Sequence, residues 1–286
     1  MHSNGHDRRT FTVAAAQFNP RQNKADNIAS ALEMVDKAAA TGARLVLLPE
    51  VWTFMGDADQ IAANSDPIPG DLTNRLAERA RRHGIYLHGG TFYEQIPGDP
   101  RVGNTAVVFG PDGDLIAKYR KIHLFDVAVN AEVTFQESAT NKPGTEIVSF
   151  EMDGMRIGLA TCYDLRFPEL FRILALQGAD LILLPAAFTL MTGKDHWEVL
   201  IRARAIENQV YMVTCNQVGT WAPGKANYGR SMIVDPWGTV IATAPDSECV
   251  IGATVDRDRI DQIRKQIPSV ANRQPEVYRS AKAVAL

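Results

Sequence analysis

Cysteine is scarce in this chain: Cys162, Cys215 and Cys249 are the only three among 286 residues. Three scattered cysteines exclude a disulfide framework and a paired-cysteine metal site. An excess of positive charge is also missing, with 30 Lys and Arg against 33 Asp and Glu and a net charge of −3. The basic footprint of a nucleic-acid binder is therefore absent. No apolar run approaches the roughly 18–20 residues that a membrane-spanning helix requires. Residues 1–10 are polar and lack the apolar centre of a secretory signal. No HExxH or comparable metal signature is present, so no metal and no cofactor are expected. What remains, 45% hydrophobic and 22% charged residues, is ordinary globular composition. The expectation is a soluble cytoplasmic protein that engages neither nucleic acid nor membrane.

The chain resembles itself. Gly-Ala-Arg-Leu-Val-Leu-Leu-Pro at 42–49 returns as Gly-Ala-Asp-Leu-Ile-Leu-Leu-Pro at 178–185. The turn pattern around Pro-Asp-Gly at 111–113 returns around Pro-Trp-Gly at 236–238. A helical pattern followed by a strand pattern occurs at 72–83 and 85–91, and again at 196–208 and 210–214. A short strand opens each half, at 11–16 and 155–161. The pairs keep their order, so each half reads β-α-β-α-β-β.

These assignments have local causes. Ile28, Leu32, Val35 and Ala39 lie at helical spacing, and Gly42 closes that segment. The unbroken apolar run at 45–48 suits a strand covered on both faces. Two units of this kind must bury each other's apolar sheets, which predicts a four-layer α-β-β-α sandwich of two pseudo-symmetric halves. The whole chain is read as one domain, with halves at about 10–120 and 154–255, a connector at 121–153 and a tail at 256–286. Such a tail either packs on a neighbouring subunit or hangs loose.

Cys162 follows a predicted strand, and Pro168 then suits the first turn of a helix. The carboxyl edge of an α/β sheet is where ligands gather, and a nearby helix start favours a thiolate. Most free cysteines are small buried hydrophobes, which is the reading given to Cys215 and Cys249. A nucleophilic thiol needs a base. His83, His88, His123 and His196 are isolated in sequence, as are His2 and His6, so a cysteine–histidine protease arrangement stays open. Glu50 ends Leu-Leu-Pro-Glu at a strand edge where the other half has Ala186; a one-sided glutamate points to function, against a helix cap or solvated loop residue. The basic run at 118–123 is either a solvated strand end or a segment turning one lysine inward to meet an oxyanion. The stretch at 219–226 imitates a phosphate loop but ends in Ala226, and a strand pattern follows it, so it is set aside.

Three motifs then fall in order: Leu-Leu-Pro-Glu50, Tyr-Arg-Lys121-Ile-His-Leu-Phe-Asp and Cys162-Tyr-Asp-Leu-Arg-Phe-Pro-Glu-Leu. Together they resemble the signatures of the nitrilase superfamily of carbon–nitrogen hydrolases, across nearly the whole chain. The resemblance implies the same α-β-β-α fold. It also implies Glu50 as general base, Lys121 as the group stabilising the tetrahedral intermediate and Cys162 as nucleophile. Glu137 would position substrate and lysine, and the Tyr163 backbone N–H would help bind the oxyanion. Lys121 to Asp126, Phe-Gln-Glu-Ser at 135–138 and His-Trp-Glu at 196–198 resemble the Nit branch, which includes omega-amidase and deaminated-glutathione amidase. Tyr-Asp after Cys162 resembles those amidases, whereas nitrilases commonly have Trp-Glu there.

The resulting expectation is an omega-amidase-like hydrolase of a small amide that carries a carboxylate. Arg166, Arg202, Arg204, Thr189 and Tyr163 are candidate anchors for that carboxylate, although Arg166 equally suits an ion pair with Asp164 or Glu169. An aliphatic amidase, an N-carbamoyl hydrolase or a nitrilase is the alternative within the family, and a catalytically silent scaffold is the alternative outside it. The resemblance also implies a homodimer or larger homo-oligomer.

Overall fold

The computed structural model describes residues 9–128 and 134–280 of the chain. Residues 1–8 with His2 and His6, residues 129–133 of the connector and the last six residues of the tail lie outside the described residues.

The first half contributes β1 (Thr10–Gln17), α1 (Lys24–Ala40), β2 (Leu45–Leu47), α2 (Asp71–His83), β3 (Tyr86–Gln95), β4 (Val102–Phe109) and β5 (Leu115–Arg120). A small hairpin of β6 (Asp126–Ala128) and β7 (Thr134–Gln136) lies in the connector. The second half contributes β8 (Ser149–Met152), β9 (Met155–Leu159), α3 (Pro168–Leu176), β10 (Leu181–Ala186), α4 (Leu190–Asn208) and β11 (Tyr211–Asn216). It continues with the hairpin β12 (Val218–Ala222) and β13 (Lys225–Tyr228), then β14 (Met232–Val234), β15 (Val240–Thr243) and β16 (Cys249–Asp256). Helices α5 (Arg257–Gln266) and α6 (Pro275–Ser280) follow. The rejected phosphate-loop imitation falls on the β12–β13 hairpin.

Two six-stranded sheets result, in the orders β16-β1-β2-β3-β4-β5 and β15-β14-β11-β10-β9-β8. Their layers follow from side-chain alternation. Val13, Ala15, Leu45 and Leu47 face Leu159, Leu181 and Leu183 between the sheets. Ala14, Ala16, Val46 and Leu48 turn outward onto α1 and α2, while Ile182 and Leu184 turn outward onto α3 and α4. Both faces of the central strands are covered, which explains their continuous apolar runs. The expected four-layer α-β-β-α sandwich is what forms.

The boundaries differ from the sequence reading at both ends of the second half. Strand β8, inside the 121–153 connector, opens the second sheet by antiparallel pairing with β9. Strand β16, at the end of the 154–255 segment, crosses to the first sheet and pairs with β1 from Thr10↔Asp256 to Gln17↔Cys249. Each sheet thereby gains an outer antiparallel strand that covers an exposed edge. Helix α4 begins at Leu190, six residues before the predicted start at His196. A Cβ on Gly193 would lie 2.3 Å from Tyr228, so the extra turn rests on a tertiary contact with β13 that only glycine permits.

Local signals behave as expected elsewhere. Asn23 caps α1 by accepting from the N–H groups of Ala25 and Asp26. Pro168 occupies the first turn of α3. No helix among the described residues is long and apolar enough to cross a membrane.

Candidate active site

The carboxyl ends of parallel strands from both sheets meet at one edge of the sandwich. Glu50 lies just beyond β2, Cys162 beyond β9, Ala187 beyond β10 and Gln217 beyond β11. The Glu50 N–H points to the Ala186 carbonyl at 3.5 Å, so the two pseudo-equivalent strand ends touch. The Gln217 side chain donates to the Glu50 carbonyl at 2.6 Å and closes the junction. Lys121 arrives from the end of β5, with its N–H donated to the Asn104 carbonyl on β4 at 2.9 Å.

Backbone strain collects here. Val51 and Cys162 hold φ values of 38° and 44°, a left-handed region that side-chain-bearing residues seldom adopt. The Val51 N–H is fixed by Thr91 Oγ1 at 2.8 Å. The turn after Cys162 is fixed by Asp164, which accepts from the Thr161 N–H at 2.7 Å. Gly90, at φ 61°, lets β3 approach this loop, since a Cβ there would lie 2.1 Å from the Pro49 carbonyl oxygen.

The ionised groups form a closed cluster. Lys121 Nζ donates to Glu50 Oε1 and to Glu137 Oε2, each at 2.9 Å. Asn104 Nδ2 donates to Glu50 Oε1 at 2.8 Å and to Glu137 Oε1 at 3.0 Å. Glu137 also accepts from the Phe125 N–H at 2.7 Å and from Asn141 Nδ2 at 3.3 Å. Two donors to each Glu137 oxygen leave that carboxylate saturated and fixed. Glu50 differs: Oε2 accepts from the Ala187 N–H at 2.8 Å, and its carboxylate lies close enough to the Cys162 thiol to raise its pKa. Glu50, Lys121 and Cys162 are 3%, 2% and 8% exposed, so these interactions act away from bulk water.

Burial works against the Lys121 charge, but Glu137 and Glu50 outweigh it and hold the ammonium well above its ordinary pKa. The thiol departs from the sequence expectation of a favoured thiolate. Burial and then the Glu50 carboxylate push Cys162 well above the usual thiol range, and Lys121 offsets only part of this. Its helical segment, Cys162–Arg166, is one short 3-10 stretch. Desolvation and an adjoining anion outweigh that short helix start. Cys162 rests as a thiol with the Glu50 carboxylate nearby.

All five expected site residues lie in this region: Glu50, Lys121, Cys162 and Glu137 through the contacts above, and Tyr163 next to the thiol. The Tyr163 N–H falls in the first turn of the 3-10 segment, where no intrahelical acceptor exists. The basic run divides as the inward reading required. Lys121 turns in, while Lys118 and Arg120 bind Glu94 at 3.1 and 2.8 Å.

The anchor candidates separate. Arg166 pairs with neither Asp164 nor Glu169. Asp164 is occupied by Tyr119, His123 and Thr161, and the guanidinium instead lies over Phe188 and Tyr163 at 5.1 and 5.9 Å. It donates to His196 Nδ1 at 3.2 Å and joins no ion pair among the described residues. Arg202 is committed to the Gly238 carbonyl and Glu198. Arg204 is committed to the Leu165 carbonyl and Glu207. Thr189 shares a hydrogen bond with Thr192.

The four described histidines are engaged away from the thiol. His83 meets Asp36, His123 meets Asp164 and His196 meets Arg166, while the His88 ring accepts from the Gly90 N–H. No group of three or more potential metal ligands occurs among the described residues. Cys215 is the small buried residue expected, with its S–H directed at the Ala16 carbonyl, whereas Cys249 is partly exposed.

Sequence reasoning missed Asn104, Asn141, Gln217 and the Ala187 N–H. Asn104 carried a usable signal, a buried amide inside an apolar strand. A backbone N–H carries none, because its role depends on where the chain passes.

A family model for carbon–nitrogen hydrolases matches residues 12–265. The omega-amidase NIT2 of Homo sapiens is 40% identical over 269 residues, covering 94% of this chain and 97% of that protein. Its Danio rerio counterpart is 39% identical over 268 residues, covering 94% and 96%. Among solved structures, the C. elegans NitFhit protein superposes with a TM-score of 0.88 at 35% identity, covering 94% of this chain. This chain spans 66% of that longer one. Saccharomyces cerevisiae Nit3, a member of branch 10 of the nitrilase superfamily, superposes with a TM-score of 0.85 at 31% identity, covering 96% and 99%.

Proposed function

The chain belongs to the carbon–nitrogen hydrolase family, and from that membership we propose an omega-amidase-like thiol hydrolase that splits a small carboxylate-bearing amide into its acid and ammonia. The observation that carries this reading is one carboxylate, Glu50, that bonds the Lys121 ammonium and lies near enough to the Cys162 thiol to raise its pKa.

Glu50 takes the thiol proton as sulfur attacks the amide carbon, so a high resting thiol pKa is no obstacle. Negative charge then moves onto the carbonyl oxygen, where Lys121 and the Tyr163 N–H receive it. Protonated Glu50 returns its proton to the departing nitrogen, and ammonia leaves a thioester on Cys162. Glu50 next deprotonates a water that attacks the thioester, releasing the acid and restoring the thiol. Glu137, saturated by its four donors, keeps the ammonium in place.

The substrate carboxylate needs a cation, and Arg166 is suited to that role. It is four residues beyond the nucleophile, spread over two aromatic rings and free of any ion pair among the described residues. A planar guanidinium binds a carboxylate through two parallel hydrogen bonds.

The experiment is ammonia release from a panel of omega-amides, neutral aliphatic amides, carbamoyl compounds and nitriles, with mass spectrometry of Cys162. The reading requires carboxylate-bearing amides to be preferred and a thioester to form on Cys162. Preference for another class reassigns the substrate. Absence of both turnover and thioester supports a silent binding member.

Two further assignments accompany this reading. Ile173 and Leu176 on α3, Val199 and Ile206 on α4, and Trp237 are large apolar side chains left exposed, which supports burial against a second copy. Three unpaired cysteines support a reducing, cytoplasmic location.

A further inference from the structure

Asn104 is 1% exposed and lies on β4, away from the three motifs that drew attention in the sequence. Its amide nitrogen gives one proton to each site carboxylate, at 2.8 Å to Glu50 and 3.0 Å to Glu137. Its carbonyl oxygen Oδ1 is buried with no hydrogen-bond partner. The reverse amide orientation would point that oxygen at two carboxylate oxygens, so the cluster itself dictates which end faces it. A buried acceptor left unsatisfied costs free energy. The fold tolerates that cost in order to present two N–H groups to the carboxylates.

Charge shows what those N–H groups do. Two carboxylates, Glu50 and Glu137, share one ammonium, Lys121, in a buried site that also faces the Cys162 thiol and the Tyr93 phenol. Burial and then these carboxylates raise the Tyr93 pKa. Among the described residues no second cation pairs with these carboxylates, and the Asn104 amide supplies its positive ends there. Asn104 and Lys121 together occupy Glu50 Oε1, which directs Oε2 to the Ala187 N–H and leaves the carboxylate beside the thiol.

We propose that Asn104 is a positioning residue of the hydrolysis, bridging Glu50 and Glu137 so that both carboxylates stay placed around Lys121 and Glu50 stays aimed at Cys162. This rests on the function proposed above.

The test compares Asn104→Ala and the isosteric Asn104→Asp with the intact protein by kcat, KM and the pH profile of kcat/KM. A parallel arm follows the pH dependence of iodoacetamide labelling at Cys162 by peptide mass spectrometry. Asn104→Ala is expected to lose about 10–100-fold in kcat with little change in KM. The acid limbs of the activity and labelling profiles should move to higher pH. Asn104→Asp fills the same space but replaces the donor with a third anion, so it is expected to lose more than Asn104→Ala. A space-filling role predicts the opposite order.

Superimposable pH profiles, or Asn104→Asp more active than Asn104→Ala, would overturn the proposal. Should the wild type hydrolyse no amide, the function fails, while the labelling profiles still decide the role of Asn104. Should Asn104→Ala fail to fold, the Asp variant in the same two assays decides it.

Discussion

Tyr119 and Asp164 are joined by a 2.6 Å hydrogen bond from the buried phenol to the buried carboxylate. His123 Nδ1 reaches the other oxygen of Asp164 at 2.7 Å. Tyr119 and His123 flank Lys121 at two residues on either side, and Asp164 lies two residues beyond Cys162. One carboxylate therefore ties the strand that carries the ammonium to the strained turn that carries the thiol. Tyr119→Phe removes a donor from a fully buried acceptor and is expected to cost about 1–3 kcal/mol. Its kcat should fall more than its KM rises. Urea unfolding and steady-state kinetics check this, and unchanged values in both would exclude a tether.

Glu50→Gln should separate thiol reactivity from turnover. The Glu50 carboxylate is one cause of the high Cys162 pKa, after burial. Removing its charge lowers that pKa, so at neutral pH the thiolate fraction rises and iodoacetamide labelling of Cys162 speeds up. Hydrolysis should nevertheless be almost abolished, because no base remains for the thiol, the leaving nitrogen or the water. Cys162→Ala should release no ammonia at all. Slower labelling in Glu50→Gln would show that the carboxylate does not hold the thiol neutral.

Lys121→Met leaves the buried Glu50 and the partly buried Glu137 without their ammonium. Breaking a buried pair from one side costs roughly 3–5 kcal/mol, and losing an oxyanion donor costs about 10²–10³ in kcat. The stability gap should narrow in mild acid, where the uncompensated carboxylates of the variant take up protons. Thermal melting of both proteins from neutral pH downward measures that convergence, and a constant gap would count against it.

Arg166→Ala should raise KM for carboxylate-bearing amides by about 10–100-fold, the loss of one charged contact. Neutral aliphatic amides of similar length should be affected far less. Measuring the two substrate types side by side checks the anchor, and equal losses on both would remove it.

His88 is fully buried between the sheets, and burial depresses its pKa to about 3. An unfolded histidine titrates near 6.5, so between those values the unfolded chain holds a proton that the native state lacks. Stability should fall on acidification through that window by about 1.4 kcal/mol per pH unit from this residue. His88→Leu should remove that share of the slope in urea unfolding between pH 6 and 4. An unchanged slope would place the acid sensitivity elsewhere.

Asn104 and Arg166 show where sequence reading stopped. Asn104 stood in plain view in an apolar strand, but an amide there serves equally to satisfy backbone. Only its two carboxylate partners give it a role. Arg166 lay beside Asp164 and Glu169 in sequence and suited an ion pair with either. The side chain instead spreads over Phe188 and Tyr163, because Asp164 is already filled by Tyr119 and His123.

By itself the sequence determined the layers and the strand edges that carry Glu50 and Cys162. Unbroken apolar runs at 45–48 and 181–184 commit both faces of a strand to two cores, a property of local period that needs no partner. The internal repeat placed Glu50 opposite Ala186 and marked it as the asymmetric one. Tertiary structure decided which outer strand closes each sheet, which polar groups enclose the cluster and whether the thiol is charged. The reason is that electrostatic free energy sums over groups close in space. Here those groups come from strand ends and loops in both halves of the chain, and the deciding term, desolvation, does not exist until both sheets have closed over them.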